Sequence, residues 1–192
     1  SKTESRSEGG KAVDQQSAIQ KLRDWLVANQ WADCLTVRCD HVTEDREELP
    51  LFLGPKRPGQ GRGSRIAEVD ILVCNKGTQN VELIIEVDPN PNPKKLMGVF
   101  MAALLADNYT PSNSYSAYSI KGTLVIFLTV LDAKRGSQKP KQFELIERAV
   151  RQKLDLKHFG IRDVRLCFGA SEEEAIATCQ RTIQSYLGGN SP

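Results

Sequence analysis

The segment Thr123–Leu131 constrains the fold most, because its nine residues (TLVIFLTVL) contain no charged side chain. A run of this length without polar alternation is typical of a central strand that is covered on both faces. Such a strand needs helices on both sides of its sheet. The sequence therefore predicts an α/β protein, a three-layer sandwich in which helices flank a central mixed β-sheet.

Three further strands are predicted before this segment and one after it. The predicted strands are Leu35–Cys39, Ile66–Cys74, Val81–Asp88 and Val164–Phe168. A turn beginning at 75–77 joins the second of these to the third, so the two should form an antiparallel hairpin. The polar stretch between the first two strands includes a Gly- and Pro-rich run at 54–65, which predicts a loop or a loose hairpin tip. Residues 108–122 are predicted to be a long loop.

Four helices complete the predicted order. The first should run from an N-cap at Asp14 to about residue 29, and the second should follow an Asn92 cap and end near residue 108. The third spans about 141–154, and the last begins at a capping box formed by Ser171 and Glu174. Residues 1–12 are predicted to be a disordered tail, and residues 13–189 a single domain.

The composition gives little direct information about partners. The net charge is +2, and the five cysteines are scattered without a CxxC pair. With two histidines in the chain, a Cys/His zinc site is not expected. We expect a cytoplasmic protein with reduced, mostly buried thiols, and we find no apolar run as long as a membrane span.

Acidic residues end two of the predicted strands. The second strand contains the run EVDILV at 68–73, and the third contains LIIEVD at 83–88. Side chains alternate along a strand, so Glu86 and Asp88 share one face, as do Glu68 and Asp70. Carboxylates within apolar runs are costly to bury without a cation or a proton. If the strands are neighbours, their oxygens would form the kind of cluster that binds Mg²⁺.

This order of elements, with an aspartate on the second strand and Glu-x-acid on the third, resembles the PD-(D/E)XK nuclease superfamily. The resemblance covers about residues 14–170 and implies a restriction-endonuclease-like fold. It implies that Asp70 and Glu86 bind Mg²⁺, or Mn²⁺ in its place, with the carbonyl of Val87 as a further ligand. The function it implies is metal-dependent cleavage of DNA.

The sequence departs from the superfamily pattern at Asp88, where the motif has a lysine that handles the attacking water. In one interpretation Lys94 or Lys95, in the first turn of the next helix, supplies the missing charge. Lys95 is preferred because it lies one turn before Val99, a member of the apolar stripe that this helix turns inward: Leu96, Val99, Phe100, Ala103 and Leu104. In a second, Asp88 is a third metal ligand. In a third, the site is inactive.

A cluster of basic residues precedes the second strand. Lys56, Arg57, Arg62 and Arg65 would contact the phosphates of the nucleic acid, or would simply keep a surface loop soluble. Tyr109, Tyr115 and Tyr118 would stack on bases or, as we prefer, pack on the core. For Glu68, Glu82 and Asp24 we prefer an ordinary surface role.

The sequence therefore predicts an Mg²⁺-dependent endonuclease that acts on DNA and does not associate with membranes. A homodimer is expected, since double-strand cutters of this size usually pair. The alternative is a catalytically inactive module of the same fold that binds nucleic acid or a protein partner, and the aspartate at 88 is its main support.

Overall fold

The structure is a computed structural model that describes residues 14–29, 33–40, 47–54, 64–111, 114, 116–131 and 138–188. The described helices are α1 (Gln15–Ala28), α2 (Pro93–Leu105), α3 (Lys139–Lys153) and α4 (Glu172–Gly188). The described strands are β1 (Leu35–Cys39), β2 (Pro50–Phe52), β3 (Arg65–Glu68), β4 (Ile71–Asn75), β5 (Asn80–Asp88), β6 (Asn108–Tyr109), β7 (Tyr118–Val130) and β8 (Ile161–Gly169). The predicted tail, residues 1–12, lies outside the described residues.

One mixed sheet contains all eight of these strands. β7 lies between β5 and β8 and runs parallel to both, while β1, β4 and β5 form an antiparallel set. On the side that faces β8 further along, the first residues of β7 pair with β6, which continues the sheet through β2 to β3, and these pairs are antiparallel. The chain is thus an α/β protein with a mixed sheet, as the sequence predicts.

The helices cover both faces of this sheet. Along β7, Leu124, Ile126 and Leu128 pack in a cluster with α1 and α4, whereas Val125 and Phe127 pack in a cluster with α2 and α3. This two-sided burial explains why residues 123–131 lack polar alternation. The prediction of a central strand here is confirmed, and the strand begins five residues earlier than predicted.

The prediction of one continuous strand over residues 66–74 is wrong, because these residues belong to two strands. β3 pairs with β2, whereas β4 pairs with β1 and β5. The chain changes partners between them, where the amide of Val69 donates to the carbonyl of Leu49 at 3.2 Å. Asp70 therefore lies in a bend before β4 and not within a strand. The predicted β4–β5 hairpin is confirmed.

Two short strands lie within stretches that the sequence predicts to be loops. β2 has three residues and β6 has two, which is too short for any hydrophobic period to be recognised. β2 and β3 pair as a hairpin, so the hairpin interpretation of residues 54–65 agrees with the pairing at its two ends. The tip itself, residues 55–63, lies outside the described residues.

The helix caps follow the sequence closely. Asp14 accepts a hydrogen bond from the amide of Ser17 and caps α1, and Asn92 caps α2 by accepting from the amide of Lys95. At α4 the hydroxyl of Ser171 accepts from the amide of Glu174, but the carboxylate of Glu174 accepts from Ala170 and does not complete a capping box. α2 ends at Leu105, three residues before the predicted end.

The five cysteines are free thiols, four of them buried, as the sequence predicts. Among the residues described, none of the helices combines the length and the apolarity that a membrane crossing requires.

Replacing Gly160 by Ala is expected to lower the free energy of unfolding by about 2 kcal/mol. Gly160 has a φ of +72°, and an added Cβ would collide with the carbonyl oxygen of Ile120. Chemical denaturation measures the change. Gly98→Ala is the matched control, because Gly98 lies inside α2 with open space around it; it should leave the protein unchanged or stabilise it by up to about 1 kcal/mol. Equal effects of the two variants would contradict the prediction.

Candidate functional site

Three neighbouring strands bring acidic residues to one edge of the sheet. Asp40 follows β1, Asp70 precedes β4, and Glu86 and Asp88 end β5. The β1–β4 pairing ends at Cys39 and Ile71, and the amide of Asp40 then donates to the carbonyl of Asp70 at 2.9 Å. Asp40, Asp70 and Asp88 are each at most 5% exposed. We call these four residues the acidic cluster.

Asp70 is held by two elements that are distant from it in the sequence. Its Oδ2 accepts a hydrogen bond of 2.7 Å from the amide of Val87, just beyond the last β4–β5 pair. The side-chain amide of Gln15, the first residue of α1, donates to Oδ1 at 3.1 Å. Hydrogen bonds from fixed donors orient a carboxylate and favour its charged form. Asp70 is thus a fixed acceptor at the centre of the acidic cluster.

The surroundings of Glu86 oppose the ionisation of its carboxyl. The pKa of its carboxyl is raised from 4.5 to about 9, chiefly by burial and in addition by the nearby charges of Asp70, Asp88 and Asp40. The ammonium of Lys95 acts in the opposite direction. Without an added cation, Glu86 therefore carries a proton at neutral pH.

Asp88 joins the end of β5 to the start of α2. Its Oδ1 accepts hydrogen bonds from the amide of Asn90 at 2.8 Å and from the ammonium of Lys95 at 3.1 Å. Its carbonyl accepts from the hydroxyl of Thr129 on β7 at 2.7 Å. Of the two candidate lysines, Lys95, which the sequence favours over Lys94, reaches back to the strand end, and about half of its side chain remains exposed.

The acidic cluster has the right donor chemistry for Mg²⁺ but no ready-made cage. Carboxylate oxygens are the hard ligands that this ion prefers, and the charges of Asp70, Asp88 and Asp40 add to burial in raising the pKa of Glu86. Among the residues that the structure describes, however, no three His, Cys, Asp or Glu side chains converge closely enough to hold an ion. Binding would need side-chain rearrangement around Asp70 and Glu86.

The predicted nucleic-acid contacts are placed only in part. Lys56, Arg57 and Arg62 lie outside the described residues. Arg65 lies on β3, where its guanidinium contacts the carboxylates of Glu48 and Glu68. In this arrangement Arg65 is bound by two acids and would have to exchange them for a phosphate.

Most of the residues that were predicted to have a structural or surface role, and no part in the site, have such a role. Tyr109 and Tyr118 stack on each other, with ring centroids 6.1 Å apart, and are buried, as predicted, whereas Tyr115 lies outside the described residues. Asp24 is exposed and accepts from Gln20, and Glu82 accepts from Asn75. Neither acid belongs to the acidic cluster.

Asp40 and Gln15 belong to this site but were not predicted from the sequence. The rule that identified Asp70 and Glu86 would have found Asp40, since this acid directly follows the strand Leu35–Cys39. Gln15 has no comparable signal, because its contact with Asp70 spans 55 residues.

Comparisons of the chain with family models, with curated proteins and with solved structures found no match.

Proposed function

We propose that this chain is an Mg²⁺-dependent phosphodiesterase that cleaves DNA as an endonuclease and has a restriction-endonuclease-like fold. The observation that carries the proposal is the acidic cluster itself. Four carboxylates lie at the ends of three adjacent strands, and three of them raise the pKa of the fourth, Glu86. A divalent cation is the simplest group that would neutralise this edge of the sheet.

The order of elements around the acidic cluster supports the proposal. α1 precedes the antiparallel strands β1, β4 and β5, which are followed by α2 and by the parallel strand β7. This is the order of the PD-(D/E)XK superfamily, with the hairpin of β2 and β3 inserted between the first and second core strands. The superfamily places its metal ligands on those second and third core strands, which correspond here to β4 and β5.

In the proposed mechanism, Asp70 and Glu86 would hold the ion, with Asp88 and the carbonyl of Val87 as further ligands. A bound Mg²⁺ supplies Lewis-acid polarisation of a phosphoryl oxygen and a lowered pKa for a water molecule. Gln15 and the amide of Val87 keep Asp70 in a fixed orientation.

Lys95 would take the part of the lysine that the motif lacks at position 88. Its ammonium already lies at the strand end, and its exposed portion allows it to move from Asp88 towards a phosphate. The run that contains Lys56, Arg57 and Arg62 would contact the phosphate backbone. In a homodimer, the two subunits would each supply one such site, and the two sites would act on the two strands of a duplex.

We expect Mn²⁺ or Mg²⁺ to bind the protein with an affinity that rises with pH, up to about tenfold per unit between pH 6 and pH 8. The reason is that Glu86 must lose its proton before it can bind the ion. Isothermal titration calorimetry in buffers of different ionisation enthalpy would measure both the affinity and the released proton. Asp24→Asn is the matched control, since Asp24 is an exposed acid outside the acidic cluster. Absence of saturable binding would contradict the metal site.

The arrangement of Asp70 also favours a second candidate function, an inactive module of this fold that binds nucleic acid or a protein partner. Both carboxylate oxygens of Asp70 already accept hydrogen bonds, and Asp88 stands where the superfamily has its lysine. The same titration separates the two functions, since such a module needs no metal at Asp70 and Glu86. A protein that binds DNA equally well in EDTA and in Mg²⁺, without cleaving it, would be this module.

A further inference from the structure

A cleft of about 500 Å³ lies between β7, β8 and the C-terminal half of α4, and the proposed function does not use it. Its polar lining comes from β8 and α4: Arg162, Asp163, Arg165, Arg181, Thr182 and Ser185. Leu124 and Tyr186 complete the lining. The volume is within the range of small-molecule sites, which is about 300–1,000 Å³.

The arginine cleft, as we call it, is separate from the acidic cluster. In the register of the sheet, Leu83 on β5 is level with Leu124 and Asp163, whereas Asp88 is level with Thr129 and Phe168. Five residues along the strands correspond to about 16 Å. The arginine cleft is therefore near the opposite end of the strands, and no single small ligand would span both sites.

Three guanidinium groups and one carboxylate line the arginine cleft. The carboxylate, Asp163, already accepts from Arg165 at 2.8 Å and from Arg151 on α3 at 2.7 Å, so two cations share its charge. Arg181 donates to the neutral hydroxyl of Thr178 at 3.1 Å. Glu82 lies near enough to raise the pKa of Tyr186, so it belongs to the surroundings. The lining nevertheless carries more positive than negative charge.

The inner part of the arginine cleft is rigid and aromatic. The hydroxyl of Tyr186 donates to the carbonyl of Gly122, and its ring is almost fully buried. The guanidinium of Arg162 lies over this ring, 4.5 Å from its centroid. A flat cation supported on a fixed ring is a surface on which a nucleobase stacks well.

We propose that the arginine cleft binds a phosphate monoester dianion carried by a group of nucleotide size. Guanidinium groups recognise phosphate oxygens through paired hydrogen bonds, and the hydroxyl of Ser185 is a further donor, whereas that of Thr182 already donates to the carbonyl of Thr178 at 2.9 Å. The stacking surface formed by Arg162 on the ring of Tyr186 favours a ligand that carries a nucleobase, and therefore one of nucleotide size. A free mononucleotide and the 5′-phosphate end of an oligonucleotide share this chemistry. The proposal does not depend on the nuclease function.

Calorimetric titrations in EDTA would test the site with inorganic phosphate, adenosine 5′-monophosphate, and a trinucleotide with or without a 5′-phosphate. We expect saturable binding of the monophosphate below about 1 mM, tighter than that of inorganic phosphate. Binding of the 5′-phosphorylated trinucleotide but not of its 5′-hydroxyl form would identify a strand end as the ligand. Binding of the mononucleotide alone would identify a free nucleotide.

Variants locate the binding. Arg181→Gln should weaken it at least about tenfold, the effect of losing one charged hydrogen-bonding partner. Ser185→Ala provides a second, milder variant should Arg181→Gln fold poorly. Arg148→Gln, an exposed arginine on α3 outside the lining, is the matched control and should bind like the wild type. Asp70→Asn should also bind normally, which separates this site from the acidic cluster.

Three results would overturn the proposal: no saturable binding of any of the four probes, equal binding by the Arg181→Gln and Arg148→Gln variants, or equal affinity for the two trinucleotides without binding of the mononucleotide.

Discussion

Asp70→Ala and Glu86→Ala are each expected to lower the rate of Mg²⁺-dependent cleavage of plasmid or branched DNA by at least about a thousandfold. A loss of this size corresponds to about 4 kcal/mol of transition-state stabilisation, which is the range for removing an ion that neutralises developing charge. Both side chains would act on the same ion, so the double variant should be scarcely less active than either single one.

Two further variants separate lost chemistry from lost folding. Asp70→Asn keeps the shape and one acceptor oxygen for the amide of Val87, so it should fold normally and still fail to cleave. Glu82→Gln removes an acid that lies on β5, the strand of Glu86, but outside the acidic cluster, and it should retain activity. Cleavage at the wild-type rate by both alanine variants would refute the assignment, and loss of cleavage in Glu82→Gln would show a general effect of strand charge.

The long elements were predictable because their signals are local. β7 carries nine consecutive uncharged residues, and α1 and α2 begin at residues whose side chains cap the first turn. The apolar stripe of α2 is buried as its spacing predicts. In each case the residues that determine the structure lie within one turn or a few strand positions of one another.

The break between β3 and β4 had no such signal. Neither Gly nor Pro interrupts residues 66–74, and the change of partner depends on β2, which the chain places more than fifteen residues earlier. The candidate site likewise contains residues with a local sequence signal and a residue without one. Asp70, Glu86 and Asp88 were recognisable from strand-end positions, whereas Gln15 reaches Asp70 from α1 through tertiary packing alone.

Glu86→Gln is expected to stabilise the metal-free protein by about 6 kcal/mol at pH 9 and by less than about 0.5 kcal/mol at pH 4.5. The pKa of the Glu86 carboxyl rises from 4.5 to about 9 on folding, because burial and the nearby carboxylates of Asp70, Asp88 and Asp40 oppose its charge more than Lys95 favours it. Between these two pH values the unfolded chain loses the proton and the folded chain retains it. The wild type therefore loses stability as the pH rises through this window, and glutamine, which has no proton to lose, does not.

Urea denaturation at several pH values in EDTA measures this difference, with Glu82→Gln as the control on the same strand. A difference between Glu86→Gln and wild type that does not grow with pH would show that Glu86 ionises freely in the folded protein. Added Mn²⁺ supplies the complementary measurement. At pH 8 the ion should stabilise the wild type more than Glu86→Gln, because it takes over the neutralising role of the proton and glutamine provides a weaker ligand. Equal stabilisation of both proteins would place the ion elsewhere and would favour the inactive module over the nuclease.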